Sequence, residues 1–264
     1  MKKVLAILLA ISMVLCFAAC GGNDAASDQT DSEYVIEKGT LVVGITDFAP
    51  MDYKDDDGNW IGFDADMATA FAESLGVEVE FIEIDWDNKI MELDTKSIDC
   101  VWNGMTLTDE VKGAMETSNP YCDNAQVVVV PADKAEEYAT VESVADLSFA
   151  AEAGSAGEAA LKELGYDVTS LSTQSDALMN VAAGTSDACV IDLLMAGAMI
   201  GEGTSYENLV YTASLNSEEY GVGFRQGSDL AALLNQFFID SYADGTMQEI
   251  AEKYGVQESL IEQK

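Results

Sequence analysis

The sequence predicts two α/β lobes that face one another across a cleft. Three observations carry this. From Thr40 onward, short apolar strands alternate with amphipathic helices, the pattern of strands joined by helical crossovers. The alternation breaks at Pro131 and starts again near Leu147, so two sheets of parallel type are expected. The two rounds also share a local pattern: KSIDCVWNG and GTSDACVID each put a helix end, an Asp and an apolar strand before a polar loop. Loops at the carboxyl ends of strands are where open α/β sheets bind ligands.

The first round opens with Leu41–Ile45 (LVVGI), apolar throughout and therefore a buried strand. DDDG then marks a hairpin turn between Tyr53 and Trp60. Met67, Ala70, Phe71 and Leu75 fall on one helical face, and Gly76 is a natural stop. Val77–Ile84 alternates as a strand, a helix follows around Lys89–Leu93, and Ile98–Trp102 is the next strand. The stretch NGMTLTDEVKGAM, Asn103–Met115, reads as a polar loop feeding a helix. Thr108 is its N-cap, and Asp109 and Glu110 suit the positive end of the helix dipole.

QVVVV is a buried strand that Pro131 ends. The second round runs LSFAAEA, GSAGEAALKELG, DVTSLS, SDALMNVAAG, DACVID and LLMAGAMI. Ser155 and Glu158 form an S-x-x-E capping box, and the helix end there presents free N–H groups, an anion-binding arrangement. YGVGF is a last strand. Two helices close the chain, with Ser228 and Thr246 as their expected caps.

Charge excludes whole classes of function. The chain carries 48 acidic against 12 basic residues, a formal net charge of −36. Nucleic-acid binding needs clustered Lys and Arg and is excluded. The chain has no His, so a His-based triad and a His-containing metal site are excluded, and neither a metal nor a cofactor is expected. Arg225 is the one arginine.

The start of the chain sets an expectation about location. MKK is basic, VLAILLAISMVLCFAA is apolar, and small residues precede Cys20, an order that resembles the lipobox of bacterial lipoproteins. Residues 1–19 are then a signal peptide and Cys20 a lipidated N-terminus. The competing reading is an ordinary secretory signal with an incidental Cys20. Residues 20–37 are small, polar and acidic, a flexible tether, with structure beginning near Val35. The protein is expected outside the cell, held by lipid on the outer face of the bacterial cytoplasmic membrane. Cys100, Cys122 and Cys189 remain, widely spaced; buried free thiols are favoured, and a Cys100–Cys122 disulfide stays open.

A resemblance extends this reading. GTLVVGITDFAPMDY, GNWIGFDADMATAFAESLG, IDWDNKI, NGMTLTDE with SNPY after it, EAGSAGE, SDACVID, and EYGVGF followed by DGTMQEIAEKYG resemble, in order and spacing, the family 3 extracellular solute-binding proteins. The likeness runs from about residue 38 to 260. It implies a two-lobed clamp of the periplasmic-binding-protein type II fold, with residues 38–127 plus 220–264 as one lobe, 128–219 as the other, and two hinge strands between them. It also implies a monomer that captures an amino acid or related small amine, closes on it, and delivers it to an ABC permease.

The family's ligand positions carry over one at a time. Phe48 and Trp86 match aromatics that cover the ligand from two walls, with Trp86 at an exposed mouth. Gly104 and Thr106 match the carbonyl and hydroxyl that take the ligand's amino group, and Asn103 beside them reaches toward a ligand side chain. Asp192 matches the carboxylate that pairs with the amino group. Ser155 and Ala156 match the helix end that helps hold the carboxylate. Glu152 occupies a position that is Lys in some glutamine binders.

One departure is sharp. After Thr-Asp-Glu the family usually has an Arg, whose guanidinium grips the ligand's carboxylate with two bonds. Here it is Val111. A hydrogen bond to a charged group contributes about 1.5–3 kcal/mol, so carboxylate binding should weaken by one to two orders of magnitude. Three explanations stay open: an amino acid held by the Ser155 helix end and Thr106, a cationic amine without a carboxylate, or another basic side chain such as Lys89 or Lys112 turned into the cleft. An enzyme on the same fold, of the cyclohexadienyl dehydratase kind, is the competing class; it needs a poised acid, for which Glu152 is the candidate.

Overall fold

The computed structural model describes residues 29–264; the expected signal peptide and Cys20 lie outside them. Helix α1 spans Asp31–Lys38, so seven residues assigned to the tether, 31–37, are already helical. Partners far along the chain hold it. Ser32 donates its N–H to Asp229 at 2.9 Å, and Arg225 Nε reaches Asp31 at 3.0 Å. Its acidic composition concealed these contacts.

Strand β1 (Thr40–Ile45) is followed by the hairpin β2 (Tyr53–Lys54) and β3 (Trp60–Ile61), paired antiparallel across the DDDG turn as expected. Helix α2 (Phe63–Leu75) ends on Gly76 in the left-handed conformation, whose N–H closes onto the carbonyls of Ala72 and Glu73. Then come β4 (Glu78–Glu83), α3 (Lys89–Asp94) and β5 (Cys100–Thr106), with α4 (Asp109–Ala114), β6 (Glu116–Thr117) and β7 (Cys122–Asn124) after it. The chain crosses to a second sheet at β8 (Gln126–Pro131). There it adds β9 (Phe149–Glu152), α5 (Ala156–Leu164), β10 (Val168–Leu171), α6 (Gln174–Ala182), β11 (Ala188–Asp192), α7 (Leu193–Met199) and β12 (Leu209–Ser214). It returns with β13 (Glu218–Phe224) and ends in α8 (Leu230–Asp244) and α9 (Thr246–Tyr254).

The strand orders are β4-β1-β5-β13-β6, with β7 also on β13, and β10-β9-β11-β8-β12. Both sheets are mixed rather than parallel throughout. β1 pairs parallel with β4 and β5, and β9 with β10 and β11, but β13 and β8 run antiparallel to their neighbours. The antiparallel strands are the ones that enter from the other lobe, where no helical crossover sets their direction. The sheets divide at Ala125 and at Leu215–Ser217, two residues from the expected 127/128 and 219/220.

Three other expectations change. Asn103–Thr106 is strand, not loop, because β13 pairs with it from over a hundred residues away. Thr246 is not a cap: its N–H donates to the Asp244 carboxylate at 2.9 Å. At α8 the Ser228 hydroxyl accepts from Leu230 N–H only at 3.4 Å. Cys100, Cys122 and Cys189 are buried free thiols. Among the described residues no helix is long and apolar enough to cross a membrane.

Arg225 ties the first lobe together away from the cleft. Beyond Asp31 it donates to the carbonyl of Ile98 at 2.8 Å and lies 3.5 Å from the fully buried Asp99. Arg225→Ala removes these partners and leaves Asp99 with Lys38 as its remaining cation. Urea unfolding should show a loss of about 3 kcal/mol, as for a broken buried pair; a loss below about 0.5 kcal/mol would mean that the guanidinium adds nothing.

Candidate functional site

A cavity lies between the carboxyl ends of β1, β4 and β5 on one side and of β9, β10 and β11 on the other. All nine sequence-predicted site residues line it. These are the ends of the parallel strands, so the topology itself brings the two polar lips together.

The first lobe supplies a mostly apolar wall. Phe48 sits where the chain folds back after β1, its N–H donating to Asp52 O at 2.7 Å, and its ring meets Tyr220 edge-on at 6.2 Å. Gly104 lies behind that ring in a bulge of β5 with φ +54; a Cβ there would stand 2.4 Å from Phe48 Cε1. Glycine is thus required twice over, for its conformation and for the ring's approach. Trp86 opens a short 3-10 turn and is 6% exposed. It is not the exposed mouth residue expected. Instead it packs with Met105, Leu93, Met115 and Val111 in an apolar cluster that reaches the cavity surface.

Val111 therefore sits in the first turn of α4 as part of that cluster, 5% exposed. Thr108 caps the same turn by accepting from Val111 N–H at 3.1 Å. The wall that a guanidinium would face is hydrocarbon. The cation of this cavity is Lys89, whose Nζ donates to Trp86 O at 3.2 Å and to Gly154 O, in the other lobe, at 3.0 Å. Lys112 does not line the cavity.

The second lobe supplies polar groups. Ser155 caps α5 by accepting from Glu158 N–H at 3.1 Å. Glu158 turns back to Gly154 N–H at 2.9 Å, one residue earlier than the standard box, and also holds Ser170. Helix geometry leaves the N–H groups of Ala156 and Gly157 without intrahelical acceptors. The lobes touch here: a Cβ on Gly154 would come within 2.8 Å of Asp87 Cα.

Asp192 ends β11 and does not cap α7 with its side chain. Its Oδ1 accepts from Asn124, Gln126 and Tyr220 at 2.6, 2.9 and 2.7 Å, and its Oδ2 accepts from Gln174 at 2.6 Å. One acceptor position stays open on Oδ2. Asn124 and Gln126 bond Glu218 as well, at 2.7 and 2.8 Å, and the Thr106 hydroxyl donates to Glu218 at 2.8 Å. Asn103 is spent: its amide makes two bonds to each polar atom, with Thr46 and Asp52, so it does not reach for a ligand.

Burial dominates the electrostatics. It pushes Asp192 up to about 7, helped by the nearby Glu218, against the bonds from Tyr220, Gln174 and Gln126. Glu152, 2% exposed, is pushed to about 8 by burial and then by Asp192. Lys89 is lowered by burial, while Glu110, Glu152 and Asp87 pull it back up. Behind Phe48, Asp64 is raised by burial to about 7 and Asp52 well above the usual range.

Lys89, Gln126, Gln174 and Glu218 were not among the sequence-predicted site residues, although Lys89 had been named as a cation that turns into the cleft. Each is a single polar residue that opens an ordinary strand or helix, without a pattern to distinguish it.

The chain matches the model of the bacterial extracellular solute-binding proteins, family 3, over residues 41–257. It is 28% identical over 251 residues to the L-cystine-binding protein TcyJ of Escherichia coli (strain K12), covering 93% of this chain and 94% of the relative. It is 27% identical over 264 residues to the arginine-binding extracellular protein ArtP of Bacillus subtilis (strain 168), covering 96% and 98%. A crystal structure of a mutant of ArgBP from T. maritima superimposes with a TM-score of 0.80 at 31% identity, over 85% of this chain and 98% of that one. With the two-sheet topology, the cleft between strand ends and a family match over most of its length, this chain belongs to the family 3 extracellular solute-binding proteins.

Proposed function

We propose that this protein captures an amino acid or a related small amine between its two lobes and presents it to an ABC importer by hinge closure. One observation carries the reading: the cavity has two oppositely charged corners. Lys89 Nζ stands 3.0 Å from Gly154 O, next to the free N–H groups that open α5. Across from them lie Asp192, with an acceptor position open, and Thr106, whose oxygen can accept once its proton is given to Glu218. A carboxylate suits the first corner and an ammonium the second.

In this reading Lys89 takes over from the missing Arg. An ammonium binds a carboxylate as a point charge and not as a fork, so it supplies charge without the planar two-bond grip. No covalent step is assigned, and the relatives above carry the names of binding proteins. We further place the chain outside the cell as a monomer anchored through Cys20, on the signal-like order of its first residues. A second reading, an amine without a carboxylate, is favoured by Val111, which offers that end of the ligand only hydrocarbon.

Differential scanning fluorimetry separates the two. L-amino acids, paired with their amides and decarboxylated amines, should raise Tm more than those partners do; at about one hundred times Kd the gain is about 2.7 kcal/mol. Amines that equal or exceed the acids would overturn the zwitterion reading in favour of the second. Asp192→Asn should weaken amino-acid binding about tenfold to a hundredfold in titration calorimetry. Unchanged affinity in that variant would remove Asp192 from the ligand's amino group.

A further inference from the structure

The second lobe holds one acidic group that the two charged corners do not use. Glu152 is the last residue of β9, 2% exposed, and lines the cavity. Its Oε1 is buried and has no hydrogen-bond partner in the protein. This contrasts with Asp192, whose oxygens together accept four bonds. A buried carboxyl oxygen without a partner is costly, more so when charged, so its presence calls for a partner that arrives from outside.

We propose that Glu152 sets the ligand's side-chain class, pairing its free oxygen with a positively charged group at the far end of the ligand, such as an ammonium or a guanidinium. This rests on the capture reading and deepens it. Residues facing Glu152 come from both lobes. Lys89 and the Thr46 hydroxyl favour its charged form, whereas Asp192 and Asp85 oppose it. Lys89 feels Glu110, Glu152 and Asp87 together, but its Nζ is committed to the Trp86 and Gly154 carbonyls. No ion pair joins it to Glu152. Trp86, with Lys89 already 4.9 Å from its ring centre, adds an aromatic face along which a cationic side chain can lie.

The pairing has a signature beyond affinity. Burial and Asp192 hold Glu152 at about 8, so at neutral pH it carries a proton. A cation placed on Oε1 favours the carboxylate, and that proton leaves to solvent. Binding of a cationic side chain should then tighten as pH rises from about 6 to about 8, by up to tenfold per pH unit. Asp192 also titrates in this range, but it faces the amino group that all amino acids share, so a matched ligand pair cancels its contribution.

L-arginine and L-citrulline are such a pair, close in shape and different in side-chain charge. Calorimetry at pH 7 in buffers of different ionisation enthalpy should show arginine binding at least tenfold tighter and releasing about one more proton than citrulline. Glu152→Gln should abolish both differences. A melting temperature for the variant alone at or above wild type shows that it is folded. Equal affinity for the two ligands in the wild type, or a preference that survives in Glu152→Gln, overturns the inference while leaving capture intact. Binding of uncharged amino acids with no response to either probe does the same. Failure of every amino acid and amine to bind overturns the capture reading, and the inference with it.

Discussion

Two carboxylates stand close together where the chain crosses between its lobes, and two amides keep them there. Asn124 and Gln126 each donate to both Asp192 and Glu218, at 2.6 to 2.9 Å. The four residues come from both crossing segments and from the end of β11. Like charges in a medium of low dielectric repel strongly, so this cluster persists only because each oxygen is supplied with donors and because Asp192 can hold a proton. Tyr220, from the same strand as Glu218, and Thr106 and Gln174, from two further elements, complete the set. The network therefore joins the crossing strands to the cleft: whatever moves those strands moves the Asp192 carboxylate that lines the cavity.

How far this was legible in the sequence depends on the range of the forces. Elements fixed by their own periodicity or caps were readable: β1, the helix stopped by Gly76, the Thr108 and Ser155 caps, the DDDG hairpin. Elements fixed by distant partners were not. Met105–Thr106 belongs to a stretch with loop chemistry, and pairing with Gly221 and Tyr220 of β13 makes it strand. Asp31–Glu33 has tether chemistry, and Arg225 and Asp229 make it helix. The site divides along the same line. The nine candidate residues converge because their motifs sit at strand ends. Yet the Asn103 amide is already bonded and Trp86 is buried where an exposed mouth was expected, since a residue's place on a lip says nothing of whether its side chain is already spent or covered.

Val111 shows how substitution at one site redistributes work. Its side chain completes the cluster of Trp86, Leu93, Met105 and Met115, stabilising the first lobe by hydrocarbon burial where a guanidinium would demand solvation or a partner. The cation nearby is Lys89, 4.9 Å from the centre of the Trp86 ring, which reaches the second lobe through Gly154. An arginine in α4 could remain on the first lobe and fork a carboxylate. Lys89 instead spans the lobes, so a charge that lines the cavity also counts as a contact between them.

Burial then gives the cleft a bias. Glu152 and Asp192 are raised by burial to about 8 and 7, so near neutral pH the cavity is less negative than its composition. A group whose native value lies above its unfolded value stabilises the fold fully below the unfolded value and stops doing so as pH rises through the native one. For these two the window runs from about 4 to about 8, which places neutral pH on the slope. A cation entering the cavity supplies the counter-charge that burial withholds, and so removes the cost of ionising these groups. On the proposed reading, the same desolvation that makes the carboxyl groups unfavourable to charge on their own favours a positive ligand. On that reading binding is also linked to closure, because water is excluded only where both lobes meet.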